Sequence, residues 1–258
     1  MPQPPVTNPL GSPFIELQSV DSTNNYARQQ IHAGLAQHGM AIFAHEQVAG
    51  KGQRGKVWTS EKDANLVLTV IVKPYPLQLA QQFRVSACTA VSVHEFFMKY
   101  AGEETKIKWP NDLYWQDRKA GGILIENIVA GQTTGNRGRE WTSIIGIGIN
   151  INQTSFDPGI KNPVSLKQIT GKNFNTVELA KELCVVLDKR FRELKEEGFE
   201  NIYKYYTTHL YKKDQPVKLK KESKLFEAII KTVSPVGKLV TQHAIEQEFD
   251  FGEIEWII

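Results

Sequence analysis

Residues 46–58 read EQVAGKGQRGKVW, and shortly afterwards residues 65–72 read NLVLTVIV. The second stretch is β-branched and almost wholly apolar, the composition of a central strand covered on both faces. The first places three glycines, Gly50, Gly52 and Gly55, within six residues, together with Lys51, Arg54 and Lys56. Glycine lets the backbone take positive φ and admits a ligand without a Cβ in the way. Successive N–H groups in such a turn form an anion-binding nest, and cationic side chains add charge-assisted bonds to phosphate or carboxylate. No Walker pattern G-x-x-x-x-G-K-S/T is present. A solvated hairpin loop has the same composition, so the loop needs support from elsewhere in the chain.

Upstream, prolines at 2, 4, 5, 9 and 13 mark residues 1–13 as an extended, flexible leader. Phe14–Gln18 alternates as a short strand, and Asp21-Ser22-Thr23-Asn24 supplies N-cap side chains for a helix over Thr23–His32. Met40–His45 is a second strand leading into the glycine-rich loop. Downstream, Leu77–Tyr100 reads as a helix buried on a wide arc and stopped by Gly102. Lys106–Trp109, Leu113–Trp115, Ala120–Val129 and Trp141–Ile151 read as strands, with a polar loop at 131–139. Thr176–Glu197 carries Ala180, Leu183, Cys184, Leu187, Phe191 and Leu194 on one stripe. A second helix follows Gly198. From Pro216 onward the pattern changes to short strands at Val217–Lys220, Phe226–Val233, Lys238–His243 and Glu253–Ile258, compatible with a small all-β barrel.

The 258 residues suffice for one large domain, or one large and one small. Net charge is +3, from 31 basic and 28 acidic residues, too small to argue for wholesale nucleic-acid binding. Cys88 and Cys184 are far apart and form no metal pattern, which fits a reducing compartment, the cytosol. The N-terminus has neither the basic nor the apolar region of a signal peptide, and no run approaches a membrane span.

Three more stretches carry polar groups that suggest chemistry. Residues 108–122, KWPNDLYWQDRKAGG, put Asn111 and Asp112 at a strand–turn junction and Lys119 just before Gly121 and Gly122. A tight turn brings Asp112 and Lys119 to one mouth, where a lysine neutralises two anions drawn together. A hairpin with a surface Asp and Lys is the plain alternative. Ser22, Thr23 and Asn24 suit helix capping, or hydrogen bonds to a small polar ligand at the helix N-terminus. Ile144–Asn150 is a strand containing Gly146 and Gly148, where a ligand or another backbone comes close. Its polar end, Asn150, suits a turn, or a phosphate or metal contact.

Together DSTN (Asp21–Asn24), the glycine-rich loop, NLVLTVIV, KWPNDLYWQDRKAGGILIE (Lys108–Glu126) and IGIGIN (Ile145–Asn150) resemble, in family order, the biotin protein ligases, or biotin–acetyl-CoA carboxylase ligases. The resemblance implies an α+β fold: a mixed β-sheet with packed helices, the class II synthetase-like catalytic domain, at 14–212. It also implies an SH3-like β-barrel at 213–258. The implied reaction joins biotin to ATP as biotinyl-5′-AMP, with release of pyrophosphate. Biotin then passes to a lysine of a biotin carboxyl carrier domain. By motif match, Lys119 and Asp112 are catalytic. Ser22, Thr23, Asn24, Gln47, Gly50, Lys51, Gly52, Gln53, Lys119 and Gly122 are expected at biotin. Arg54, Gly55, Trp58, Asn111, Lys119 and Asn150 are expected at the nucleotide. Mg²⁺ is expected with ATP, with no ligand assigned.

Many family members carry arginines where this chain has Lys51 and Gln53, which lowers the charge available to hold an adenylate. The early start of the first strand implies the monofunctional type, without an N-terminal helix-turn-helix or specific DNA binding; a homodimer stays open. Competing readings are a lipoate or octanoate ligase of the same fold, and a nucleic-acid-binding regulator suggested by Lys212, Lys213, Lys218, Lys220 and Lys221. A solvated strand face explains that lysine run equally well.

Overall fold

The computed structural model describes residues 8–133 and 139–257. The order is β1 (Phe14–Leu17), α1 (Thr23–His32), β2 (Ala41–Ala44), β3 (Leu66–Val72), α2 (Gln82–Ala101), β4 (Thr105–Lys108), β5 (Asp112–Trp115), β6 (Arg118–Thr133) and β7 (Arg139–Ile149). Then follow α3 (Leu166–Thr170), α4 (Thr176–Glu196), α5 (Glu200–Thr208), β8 (Pro216–Lys221), β9 (Lys224–Val233), β10 (Leu239–Gln242), β11 (Glu246–Phe249) and β12 (Glu255–Ile257).

Seven strands form one mixed sheet in the order β1-β2-β3-β7-β6-β5-β4. β1 runs parallel to β2, and every other pairing is antiparallel. All seven residues of β3 are buried, as its composition demands, because helices cover both faces. On one face α2 and α4 complete the main core with Phe43, Leu68, Val70, Ile145 and Ile147. On the other, α1 sets Ala27 against Ile42, Ile71 and Ile144. The stripe expected on α4 is the one buried, and Asn175 caps that helix by accepting bonds from the Val177 and Glu178 N–H groups.

A second, antiparallel sheet has the order β11-β10-β9-β8-β12. Its apolar residues Leu219, Ile230, Val233 and Leu239 join the main core. Trp109 Nε1 donates to the Gly237 carbonyl at 2.9 Å and Tyr203 Oη to the Val233 carbonyl at 2.7 Å. Among the described residues no helix is long and apolar enough to cross a membrane, and both cysteines are free and buried.

Several expectations need correction. Residues 8–13 are docked: Leu10 is buried and its N–H donates to Asp188, while Gly11 N–H donates to the Gly39 carbonyl. Residues 1–7 of the expected leader lie outside the described residues. α2 starts at Gln82, after a 3-10 turn at Leu79–Gln81, because the chain is still in a turn leaving Pro74 and Pro76. The expected loop at 131–139 is in part strand: β6 and β7 extend to pair Thr133 with Arg139, and 134–138 lie outside the described residues. α3 was not anticipated, although Ser165 and Gln168 form a capping box. β11 was missed as well; Glu246, Gln247 and Glu248 are exposed, so this edge strand carries no apolar alternation.

Candidate active site

The antiparallel register decides which side chains share a face. Thr69 opposes Gly146, Val67 opposes Gly148, and Gly148 opposes Gly122, which in turn opposes Asp112. These residues therefore line the α1 face of the sheet. The face is closed by α1 beside Thr69 and has a floor of three glycines beyond it.

At the helix end, Ser22, Thr23 and Asn24 are almost completely buried, with exposures of 2%, 3% and 3%. Capping does not explain them. Ser22 occupies the N-cap position but its hydroxyl makes no cap bond. Gln47 takes that role, its Oε1 accepting from Thr23 N–H at 2.8 Å and from the Thr23 hydroxyl at 3.1 Å. The Thr69 hydroxyl lies 2.8 Å from Thr23 Oγ1 and 2.7 Å from Asn24 Oδ1. Asn24 Nδ2 donates to Glu126 Oε2 at 2.8 Å, and Arg28 holds the other carboxylate oxygen at 2.6 Å. An ionised carboxylate only accepts, so Glu126 fixes which way the Asn24 amide faces. Thr69, Glu126 and Arg28 escaped the sequence reading. The signal was Thr69, the single polar residue in an otherwise apolar strand.

The two glycines of β7 are sterically required. A Cβ on Gly146 would overlap the Asn24 carboxamide, and one on Gly148 would lie 2.6 Å from Trp58 Cε2. The close approach expected at these glycines is thus made by two side chains of the chain itself. Trp58 lies across Gly148, and its buried Nε1 has no hydrogen-bond partner among the described residues.

The glycine-rich loop is a small hairpin. Trp58 N–H donates to the Gly50 carbonyl, Gly52 N–H to the Lys56 carbonyl, and Gln53–Gly55 forms one 3-10 turn. Gly50 is buried against the Trp58 carbonyl and Gln47 Nε2, where no Cβ fits. Gly55 adopts φ +76°, and Arg54 adopts φ 56°. Lys51 Nζ donates to Asn25 Oδ1 at 2.6 Å, tying the loop to α1. Arg54 points elsewhere: its guanidinium lies 5.8 Å from the Phe251 ring centre, on the second sheet's side of the molecule.

Asp112 and Lys119 meet as an ion pair, Nζ to Oδ1 at 2.5 Å, and both are partly buried. Gly122 stands beside them, with ordinary contact distances of 3.4 and 3.5 Å from its virtual Cβ to Asp112 Oδ1 and Lys119 Nζ. Two expected nucleotide residues bond the backbone through their amide nitrogens. Asn111 Nδ2 donates to the Ile123 carbonyl at 2.6 Å, and Asn150 Nδ2 donates to the carbonyls of Val164 and Lys119 at 3.2 and 3.4 Å. Both hold the strands that carry Lys119.

Residues 16–150, which span every feature of this face, match the Biotin/lipoate A/B protein ligase family. The chain belongs to that family. Among relatives of this family member, the bifunctional ligase/repressor BirA of Bacillus spizizenii is 32% identical over 200 residues, 76% of this chain and 59% of the relative. The chain therefore spans somewhat more than half the length of that relative. The bifunctional ligase/repressor BirA of Salmonella typhimurium is 30% identical over 243 residues, 92% of this chain and 72% of the relative. The fold is that of the biotin protein ligase from Aquifex aeolicus, solved in complex with biotin and ATP. The TM-score is 0.78 at 24% identity, covering 95% of this chain and 98% of the other.

Proposed function

We propose that this family member is an ATP-dependent biotin protein ligase. The observation that carries the reading is the Lys119–Asp112 pair, set beside a glycine floor that ends at the buried Thr23–Asn24–Gln47 cluster. Relatives named as biotin ligases, and a structural neighbour solved with biotin and ATP, support it. Biotin lies toward Ser22–Asn24 and Gln47, and its carboxylate reaches Lys119. A carboxylate oxygen attacks the α-phosphorus of ATP. The bond to the bridging oxygen breaks, and pyrophosphate leaves with the electron pair. Lys119 relieves the repulsion between the two anions, and more so as charge builds on the α-phosphoryl oxygens. The hairpin at Gly50–Trp58 lies over the product, with Trp58 on its nucleotide side. A carrier-domain lysine then attacks the acyl carbon, loses its proton and displaces AMP.

Mg²⁺ would accompany the ATP phosphates and offset part of their charge. Among the described residues no group of three or more His, Cys, Asp or Glu side chains is placed to hold a metal, which fits an ion carried mainly by substrate phosphates. The catalytic unit is proposed as 14–212 and the smaller β unit as 213–258, the second sheet starting at Pro216. The reducing cytosol remains the proposed compartment.

Biotin-dependent exchange of labelled pyrophosphate into ATP tests the reading. Exchange supported by lipoate or octanoate instead of biotin assigns the chain to the other branch of the family. The lysine run gives little support to a nucleic-acid role, since Lys212 pairs with Asp117 at 2.7 Å and Lys221 faces Glu253 at 3.8 Å. Transfer to a carrier domain, and light scattering for the homodimer, complete the test.

A further inference from the structure

Lys108 opens the KWPND stretch, and the reaction proposed above leaves it without a task. It is 7% exposed. Lysines are rarely so buried unless paired, yet among the described residues its ammonium forms no ion pair or hydrogen bond. Two aromatic faces carry it instead: Nζ lies 5.2 Å from the Tyr114 ring centre and 4.9 Å from that of Trp256. Tyr114 belongs to the main sheet and Trp256 to β12 of the second. Burial, aided by Lys119 and Lys56 and opposed by Asp112, lowers the Lys108 pKa to about 8. Lys119 and Lys56 both act on Lys108, and Asp112, the carboxylate that opposes them, is already paired with Lys119. The cluster has more positive charge than its own residues neutralise.

Position along the sheet says which anion would balance it. Lys108 opposes Asp112, and Asp112 opposes Gly122, so all three face the same way. Across the sheet the order is Thr69 on β3, the glycines of β7, Lys119 and Gly122 on β6, Asp112 on β5 and Lys108 on β4. With biotin at the Thr23–Asn24 end and the α-phosphorus at Lys119, an in-line displacement sends the leaving group away from biotin. That direction leads to β4, two strand spacings or about 10 Å beyond β6. We infer that Lys108 binds the leaving pyrophosphate, the β- and γ-phosphates of ATP in the forward direction. Trp256, from the C-terminal sheet, is its positioning residue. The inference rests on the proposed ligase reaction and adds a contribution of the second sheet to the first chemical step.

The test is biotin-dependent pyrophosphate–ATP exchange by the full chain, with calorimetric biotin binding beside it. Lys108→Met, an apolar replacement of similar length, keeps the buried stem packed. It is expected to raise the KM for pyrophosphate by about 10- to 100-fold, the effect of losing a charge-assisted contact, while biotin affinity stays within about twofold. Trp256→Leu is expected to shift the same KM in the same direction, and Trp256→Phe, which keeps a ring face, to restore most of it. A packing role alone would not produce a shift confined to pyrophosphate and rescued by a ring. Thermal melts establish that each variant is folded, and Lys108→Gln replaces Lys108→Met if the latter is not. A parent chain with no biotin-dependent exchange overturns the ligase reading and this inference with it. A parent that exchanges, while folded Lys108 variants keep the parent KM for pyrophosphate, overturns this inference alone.

Discussion

Lys119 Nζ lies 2.5 Å from Asp112 Oδ1 because the β5–β6 register slips between Leu113 and Tyr114. Leu113 opposes Gly121, but Tyr114 opposes Lys119, so Ala120 is the extra residue. In a regular strand Lys119 and Gly122 would face opposite sides of the sheet. The bulge reverses the alternation and aims Lys119 onto the face shared by Asp112 and Gly122. Lys119→Ala is expected to slow adenylate formation by about 10²–10³-fold, with a far smaller loss of biotin affinity. Lys119→Arg is not expected to restore the rate, since a planar fork cannot occupy the same point. Single-turnover adenylation and calorimetry separate the two effects; a near-parent rate for Lys119→Ala would remove Lys119 from the mechanism.

The glycine floor gives a contrasting pair. Gly148→Ala forces Trp58 off the sheet, since the new Cβ would lie 2.6 Å from its ring. It should weaken ATP binding and loosen the hairpin. Gly122→Ala meets only ordinary contacts, so its stability should stay within about 0.5 kcal/mol of the parent. It nevertheless adds a methyl group beside the Lys119–Asp112 pair and should reduce ligand affinity. Chemical denaturation and calorimetry on both variants check the contrast; equal stability losses would contradict it.

Glu126 orients Asn24 and is held by Arg28. Its carboxylate and the Arg28 guanidinium are both partly exposed, so Glu126→Ala is expected to cost only ~1 kcal/mol of stability. The larger effect should fall on biotin binding, because the Asn24 amide is then free to flip. Glu126→Gln offers an amide nitrogen where an acceptor stood and should restore binding only in part. Unchanged biotin affinity in Glu126→Ala would show that Asn24 is oriented by Thr69 alone.

His45 lies between Glu16 at 2.8 Å and Asp63 at 2.6 Å. The Glu16 carboxylate, followed by Asp63, raises its pKa above the ordinary 6.5 despite some burial. A raised folded-state pKa means that the protonated ring stabilises the fold. That contribution is full below pH 6.5 and is lost as pH rises through the raised value. His45→Gln should therefore lower the unfolding midpoint more at pH 6 than at pH 8.5. Equal losses at both pH values would show that the charged ring contributes nothing.

In the hairpin Lys51–Trp58, residues Lys51, Arg54, Gly55, Lys56 and Val57 are exposed, and few backbone N–H groups are bonded. Such a segment opens readily. Biotin with ATP is expected to slow its amide exchange, because an anion gives the free N–H groups a partner. Exchange that is the same with and without ligands would place the adenylate elsewhere.

The sequence by itself determined the local elements and much of the candidate site. β3 follows from its apolar, β-branched composition, α1 from the polar residues at its start and the α4 stripe from apolar spacing, all properties of consecutive residues. The four motif stretches converge on one face, as their polar residues and glycines suggested. Periodicity did not reach β11, whose exposed Glu246–Glu248 face no core, or the extension of β6–β7, where pairing rather than composition makes the strand. Tertiary structure alone decided four things. A bulge turned Lys119 to Asp112. Gln47, 24 residues away from Thr23, supplied the cap that Ser22 does not. Asn111 and Asn150 were turned so that their amide nitrogens donate to backbone carbonyls. Finally, the second sheet set Trp256 over Lys108. Each depends on which distant backbone or side chain arrives within about 3–6 Å, and hydrogen bonds and cation–π contacts act only over that range.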